Sequence, residues 1–251
     1  MAEQDTFWGH LEALRLTLLK MLAAATVLAV AAFCLKDWLF GFVLWPLHSD
    51  FPTYRALDIE AIPLQLINTQ LTEQFMAHIK VAFVAGVVAA SPYLVYALFS
   101  FVAPALYENE LRVSKRLIAA SYLASCTGMA VNYLIVFPLT VRFLGSYRVS
   151  AEVVPMLTLS GYIDTLLVMS LAFGMVFEMP VVAWLMGHFG LLKSEWMSRY
   201  RRHAIVAILI VAAVITPTTD MITLSVVALP IWLLYEVSIL LVPKTACQPP
   251  A

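Results

Sequence analysis

The sequence predicts an all-α integral membrane protein: six transmembrane helices bent at prolines, the last two short, preceded by an N-terminal amphipathic helix. Apolar residues make up 62% of the chain and charged residues 12%, about half the charged share of an ordinary soluble domain. Residues 81–106 and 117–141 contain no charged side chain, and a span needs about 20 such residues. Basic residues crowd into alternate connections, which is the pattern that orients helices in a bilayer. The net charge of −1 lacks the basic surplus of a nucleic-acid binder. Cys34 and Cys126 lie in apolar runs and Cys247 in the tail, which is no disulfide framework. The chain reads as a single membrane domain over 1–251.

Residues 1–20 form the amphipathic start. Asp5 or Thr6 can cap a helix whose apolar face is Phe7, Leu11, Leu14 and Leu18. Such a segment is expected to lie at the interface and then turn inward. It is not a signal peptide, because no basic head precedes a short apolar core with a small-residue cleavage site. The spans follow at about 19–40, 78–106, 115–141 and 163–187, with Pro92 and Pro104 in the second and Pro138 in the third. Membrane helices tolerate proline where neighbours re-satisfy the freed backbone groups, so these spans are expected to bend or end early.

The fifth and sixth spans, 203–218 and 220–239, are different. Their uncharged cores run over 204–217 and 221–235, about 21–23 Å of helix against a hydrocarbon core of roughly 30 Å. Thr216-Pro-Thr-Thr-Asp220 joins them as a tight hairpin. Flanking polar residues and local thinning of the bilayer would absorb the shortfall.

Six spans put both termini on one side. Ten of the fifteen basic residues fall on that side, among them Arg112, Lys115 and Arg116 in one connection and Lys193, Arg199, Arg201 and Arg202 in another. The positive-inside rule therefore places both termini in the cytoplasm.

The fourth span carries Glu178 far from either end. A charge near the bilayer centre costs about 2.5–3.5 kcal/mol on insertion scales, so the residue must face protein or water. Helical spacing sets Ser170 and Gly174 on the same face, a polar and small side suited to close approach by a partner. Either Glu178 is hydrogen-bonded inside a static bundle or it lines a functional groove. Carboxylates also gather on the cytoplasmic side, with Glu108 and Glu110 after Pro104 and Glu12 in the start. Such groups suit guanidinium recognition, because bidentate pairing adds geometry to charge.

Other chemistry finds little support. The five histidines show no metal-ligand spacing within a span, and no phosphate-cradling glycine loop or nucleophile elbow is present. No metal or cofactor is expected. A small-solute or ion transporter titrating Glu178 is the alternative reading, although such proteins usually show repeated halves and this chain does not.

Four motifs in register carry a resemblance over nearly the whole chain. Phe7-Trp-Gly-His-Leu-Glu-Ala-Leu-Arg15, Phe101-Val-Ala-Pro-Ala-Leu-Tyr-Glu-Asn-Glu110, Phe177-Glu-Met-Pro180 and Ile215-Thr-Pro-Thr-Thr-Asp220 together resemble the TatC family, the polytopic subunit of the twin-arginine protein translocase. The resemblance implies a non-enzymatic receptor in the bacterial cytoplasmic membrane. It would bind paired-arginine signal peptides and, in a multimeric complex with single-span TatA- and TatB-type partners, export folded proteins on the proton-motive force. It implies a signal-binding site at Glu110, Phe101, Glu12 and Arg15, and an intramembrane polar groove at Glu178, Ser170, Gly174 and Asp220. One departure stands out. The family usually has a glutamate two residues before the arginine of the first motif, where this chain has Ala13. Glu12 points about 100° away from that position on a helix.

Overall fold

The computed structural model describes residues 2–56, 58, 66–102, 111–146, 156–188, 190–216 and 220–242. Eleven α-helices, one 3-10 turn and one π-turn are found among them, with one two-residue pair of parallel strands. Among the described residues five stretches are long and apolar enough to cross a membrane: Leu11–Cys34, Glu73–Ala97, Leu117–Ser146, Leu159–His188 and Met221–Leu241. The residues group into two compact units, 1–43 with 70–122 and 44–69 with 123–251.

In the first unit α1 (Ala2–Cys34) lies along α4 (Glu73–Val102). The expected turn after residue 20 is absent; α1 is one continuous helix of 33 residues. The reason is local: from His10 to Cys34 there is neither glycine nor proline, and alanine and leucine dominate. Backbones meet closely at Gly86, where a Cβ would come within 2.4–2.6 Å of Ala29. That is the small-residue contact expected between helices in lipid. Leu35 breaks the helix before α2 (Lys36–Leu44). His78 Nε2 lies 3.1 Å from the Phe33 carbonyl oxygen at this break, where helix-end carbonyls lack an intrahelical partner. Its ring stacks on Phe33 with centroids 4.0 Å apart.

Two prolines inside spans, Pro92 and Pro138, are answered by hydroxyls. Pro92 has no N–H for the Val88 carbonyl four residues back, and Ser91 Oγ donates to that oxygen at 2.7 Å. α4 runs through uninterrupted. In the second unit Pro138 creates the same need at Leu134. There α5 (Leu111–Val131) passes through a π-turn, Asn132–Val136, into α6 (Phe137–Ser146), with Phe137 N–H donating to the Asn132 carbonyl. Thr53, in the short α3 (Pro52–Ala56), donates its hydroxyl to the Leu134 carbonyl. Beside it the buried Tyr54 hydroxyl donates to the Pro46 carbonyl at 3.1 Å and approaches that of Pro138 at 3.4 Å. Burial raises the Tyr54 phenol above its usual range, an effect partly offset by the Arg142 guanidinium.

The second unit continues with α7 (Leu159–Val176), α8 (Met179–His188), α9 (Ser194–Arg199), α10 (Arg201–Ile215) and α11 (Met221–Leu241). Strand β1 (Leu66–Ile67) pairs with β2 (Leu157–Thr158) just before α7, and Thr158 caps that helix by accepting from Gly161 N–H at 3.2 Å. The last two helices differ in length. α10 has 15 residues, about 22 Å, short as expected. α11 has 21 residues, about 31 Å, enough to span. The uncharged run stops at Glu236, and α11 continues through it as the expected span 220–239 does, with Arg201 Nη2 meeting Glu236 Oε2 at 2.8 Å. Ser194 Oγ and Tyr235 Oη tie α9 to α11 by donating to the Ile239 and Met197 carbonyls at 2.9 and 2.7 Å.

Candidate functional site

The fourth long span is not one helix. Pro180 cannot donate to the Val176 carbonyl, and α7 ends at Val176 while α8 begins at Met179. Phe177 and Glu178 form the joint. Glu178 N–H donates to the Met175 carbonyl at 3.1 Å in a tightened turn, and Val182 N–H donates to the Glu178 carbonyl at 2.9 Å to start α8. The carboxylate thus stands where the helix is locally rebuilt, half-buried.

The face below it is filled from within the chain. Gly174 is buried, and a Cβ there would meet Ser125 Oγ at 3.3 Å and Met129 Cγ at 3.4 Å. Reciprocally, a Cβ on Gly128 would lie 2.5 Å from the Phe173 carbonyl oxygen and 2.7 Å from Phe177 Cγ. Ser170 Oγ accepts from Asn132 Nδ2 at 2.9 Å. The small, polar side of α7 is therefore the contact with α5 and the π-turn. Gly174 is buried at the middle of that face, while Ser170 and, eight residues and about 12 Å further along, Glu178 are partly exposed.

Asn132 is fully buried, and its Oδ1 has no hydrogen-bond partner among the described residues. Sequence reasoning missed it because the third span was judged by its lack of charge; an amide inside that span was the available signal. Thr53 was missed for another reason, since its acceptor lies 81 residues away.

The other expected site residues fall elsewhere. Asp220 is the N-cap of α11, its Oδ2 accepting from Thr223 N–H at 2.7 Å, so part of its role is to hold the helix start. Glu12 and Arg15 are both exposed on α1, three residues apart and so on neighbouring positions of one face. Phe101 belongs to the last turn of α4. Glu110 lies outside the described residues, directly before Leu111, the first residue of α5.

A carboxylate retained at a break in an apolar span places the chain among polytopic helical membrane proteins that keep an ionisable group within a span. Comparison with known proteins narrows that class. Residues 9–230 match the family described as Sec-independent protein translocase protein (TatC). The TatC of Koribacter versatilis is 36% identical over 78% of this chain and 74% of its own length. That of Desulforapulum autotrophicum is 34% identical over 95% and 84%. Two crystal structures described as the twin-arginine translocase receptor TatC superpose with TM-scores of 0.77 and 0.79 at 31% identity. They cover 92% and 93% of this chain and 97% and 99% of theirs. The chain belongs to the TatC family. It is a membrane component of the Sec-independent protein translocase that works with other Tat subunits, and it is not an enzyme.

Proposed function

We propose that this subunit is the receptor for signal peptides bearing paired arginines. It acts in the bacterial cytoplasmic membrane with both termini inside, and with TatA- and TatB-type single-span partners it exports folded proteins on the proton-motive force. The observation that carries the reading is the likeness to two solved receptor structures over more than nine-tenths of the chain. Glu110 supplies the carboxylate for the arginine pair, and Phe101, Glu12 and Arg15 supply the other contacts to the signal peptide. A carboxylate can take a guanidinium in two parallel hydrogen bonds, which a lysine ammonium cannot match. Glu178, partly exposed at the helix joint, receives a polar group of a single-span partner inside the bilayer.

The test is photo-crosslinking of the full chain in membranes to a twin-arginine signal peptide, with a twin-lysine peptide as control. Crosslinking is expected for the arginine peptide and is weakened by Glu110→Ala more than by Glu108→Ala. Equal crosslinking of both peptides, or a wild-type yield from Glu110→Ala, would refute the assignment.

A further inference from the structure

The segment that leads into α10 carries more positive charge than its own side chains neutralise. Arg201 is matched by Glu236 at 2.8 Å. Lys193, Arg199 and Arg202 are exposed, and among the described residues their side chains form no hydrogen bond or ion pair. Glu195 is the only acidic residue between 193 and 203. The segment is also held in place, because Ser194, the Met197 carbonyl and Arg201 are all bonded to α11. Its cations are thus presented on fixed backbone, which leaves a ligand little ordering to impose.

Helical spacing arranges what faces outward. Trp196 N–H donates to the Lys193 carbonyl and Tyr200 N–H to the Trp196 carbonyl, both at 3.0 Å. Lys193, Trp196 and Tyr200 therefore follow one another along one side. Tyr200 meets His203 edge-on with ring centroids 5.5 Å apart, which carries the strip from α9 onto α10. From His203 the same side continues through Val206, Ile210 and Val214, at the three- and four-residue steps of one helix face. Trp196 and Tyr200 are 56% and 55% exposed, and Val206, Ile210 and Val214 are 57%, 60% and 79% exposed. The strip is first cationic and aromatic, then wholly aliphatic, since residues 204–215 contain no polar side chain.

That order selects the occupant. A soluble acidic protein matches the cations but not the aliphatic run. An apolar helix covers the aliphatic run but brings no negative charge. An amphiphile with an anionic head and a hydrocarbon tail matches both, in sequence. Trp and Tyr belong at the boundary between them, where the ring is apolar and its edge polar, and basic clusters beside spans suit anionic headgroups. We propose that this strip is a docking surface for an anionic glycerophospholipid. Arg199 and Arg202 take the phosphate, Trp196 and Tyr200 flank the glycerol region, and an acyl chain lies along Val206, Ile210 and Val214. The bound lipid fixes the level at which the short α10 enters the bilayer.

The full-length protein is placed in phosphatidylcholine nanodiscs with a trace of phosphatidylglycerol or phosphatidylcholine, each bearing the same diazirine on an acyl chain. Labelled peptides covering 193–215 are quantified by mass spectrometry. The phosphatidylglycerol analogue should label them about fivefold more than the phosphatidylcholine analogue for each cation it engages. Arg199→Gln/Arg202→Gln should bring the two analogues to parity. Lys20→Gln/Lys36→Gln, which removes the same charge from the first unit, should keep the preference. Equal labelling by the two analogues in wild type would leave the cations to an acidic protein and overturn the proposal. A preference unchanged in Arg199→Gln/Arg202→Gln, or lost equally in the Lys20/Lys36 control, would overturn it as well. The comparison of analogues uses wild type alone, so it stands even where a variant fails to fold.

Discussion

Gly128 and Gly174 face the same helix contact, and adding one methyl to each should have opposite consequences. At Gly128 the new Cβ would sit 2.5 Å from the Phe173 carbonyl oxygen. Ordinary contact begins near 3.4 Å, so the helices must separate by about 0.9 Å, the difference of those two distances. The obstructing atom is backbone, and Phe177 Cγ and Cβ at 2.7 and 2.8 Å block a sideways escape. Overpacking of this kind costs about 1–3 kcal/mol, and a clash with backbone belongs at the upper end. The gain from replacing a mid-helix glycine by alanine, about 1 kcal/mol, offsets part of it. Gly128→Ala should therefore lose about 1–2 kcal/mol net. At Gly174 the nearest atoms are Ser125 Oγ at 3.3 Å and Met129 Cγ and Sδ at 3.4 and 3.8 Å. Both belong to side chains that can yield by a tenth of an ångström, so the helix gain should dominate and Gly174→Ala should be neutral or slightly stabilising. Thermal unfolding of the purified variants in detergent reads both. For a chain of this size 1 kcal/mol corresponds to roughly 2–4 °C. Phe173 and Phe177 lead into the joint at Glu178, so Gly128→Ala should also lower export. Equal melting temperatures for the two variants would refute the claim that backbone contact at Gly128 fixes the spacing.

Four other predictions use different observations. Thr53→Val keeps the shape but leaves the Leu134 carbonyl unpaired, and should cost about 1–3 kcal/mol; a melting temperature equal to wild type would show the hydroxyl to be dispensable. Glu178→Gln, which keeps hydrogen bonding, should reduce export less than Glu178→Leu, and wild-type export by both would mark Glu178 as passive core. The raised Tyr54 value means the folded protein holds that proton more tightly than the unfolded chain. Its contribution is complete below the usual value of 10.0 and is lost as pH rises through the folded value. Wild type should thus lose stability above that pH more steeply than Tyr54→Phe, and parallel profiles would contradict the assignment. Inserting four apolar residues into α10 lengthens it by about 6 Å toward a full span; signal-peptide crosslinking should survive while export falls, and normal export would remove any role for the short helix.

What could be read beforehand follows from the range of the forces involved. Glu178 was legible because a carboxylate in hydrocarbon is costly wherever the chain places it. The length of α10 was legible from its own residues. The last span was expected over 220–239, past Glu236, and α11 runs over Met221–Leu241; the Arg201 that meets Glu236 was not legible, because it is 35 residues away. Ser170 and Gly174 were correctly placed on one face, but nothing local told that Ser125, Gly128 and Asn132 would fill it. The single continuous α1 was within reach: an amphipathic stretch suggested a turn where the absence of any breaker argued against one.

The bond from Thr53 to Leu134 also fixes an order of events during synthesis. A ribosome makes the donor 81 residues before the acceptor, and chains emerge N-terminus first. When the Leu117–Ser146 stretch enters the bilayer, the segment around α3 is already made and waiting. Pro138 leaves a carbonyl that lipid cannot solvate, so that span is incomplete as an isolated insertion unit until the earlier segment closes over it. The connection between the first two long spans serves as an assembly factor carried in cis, delivered ahead of the helix that needs it.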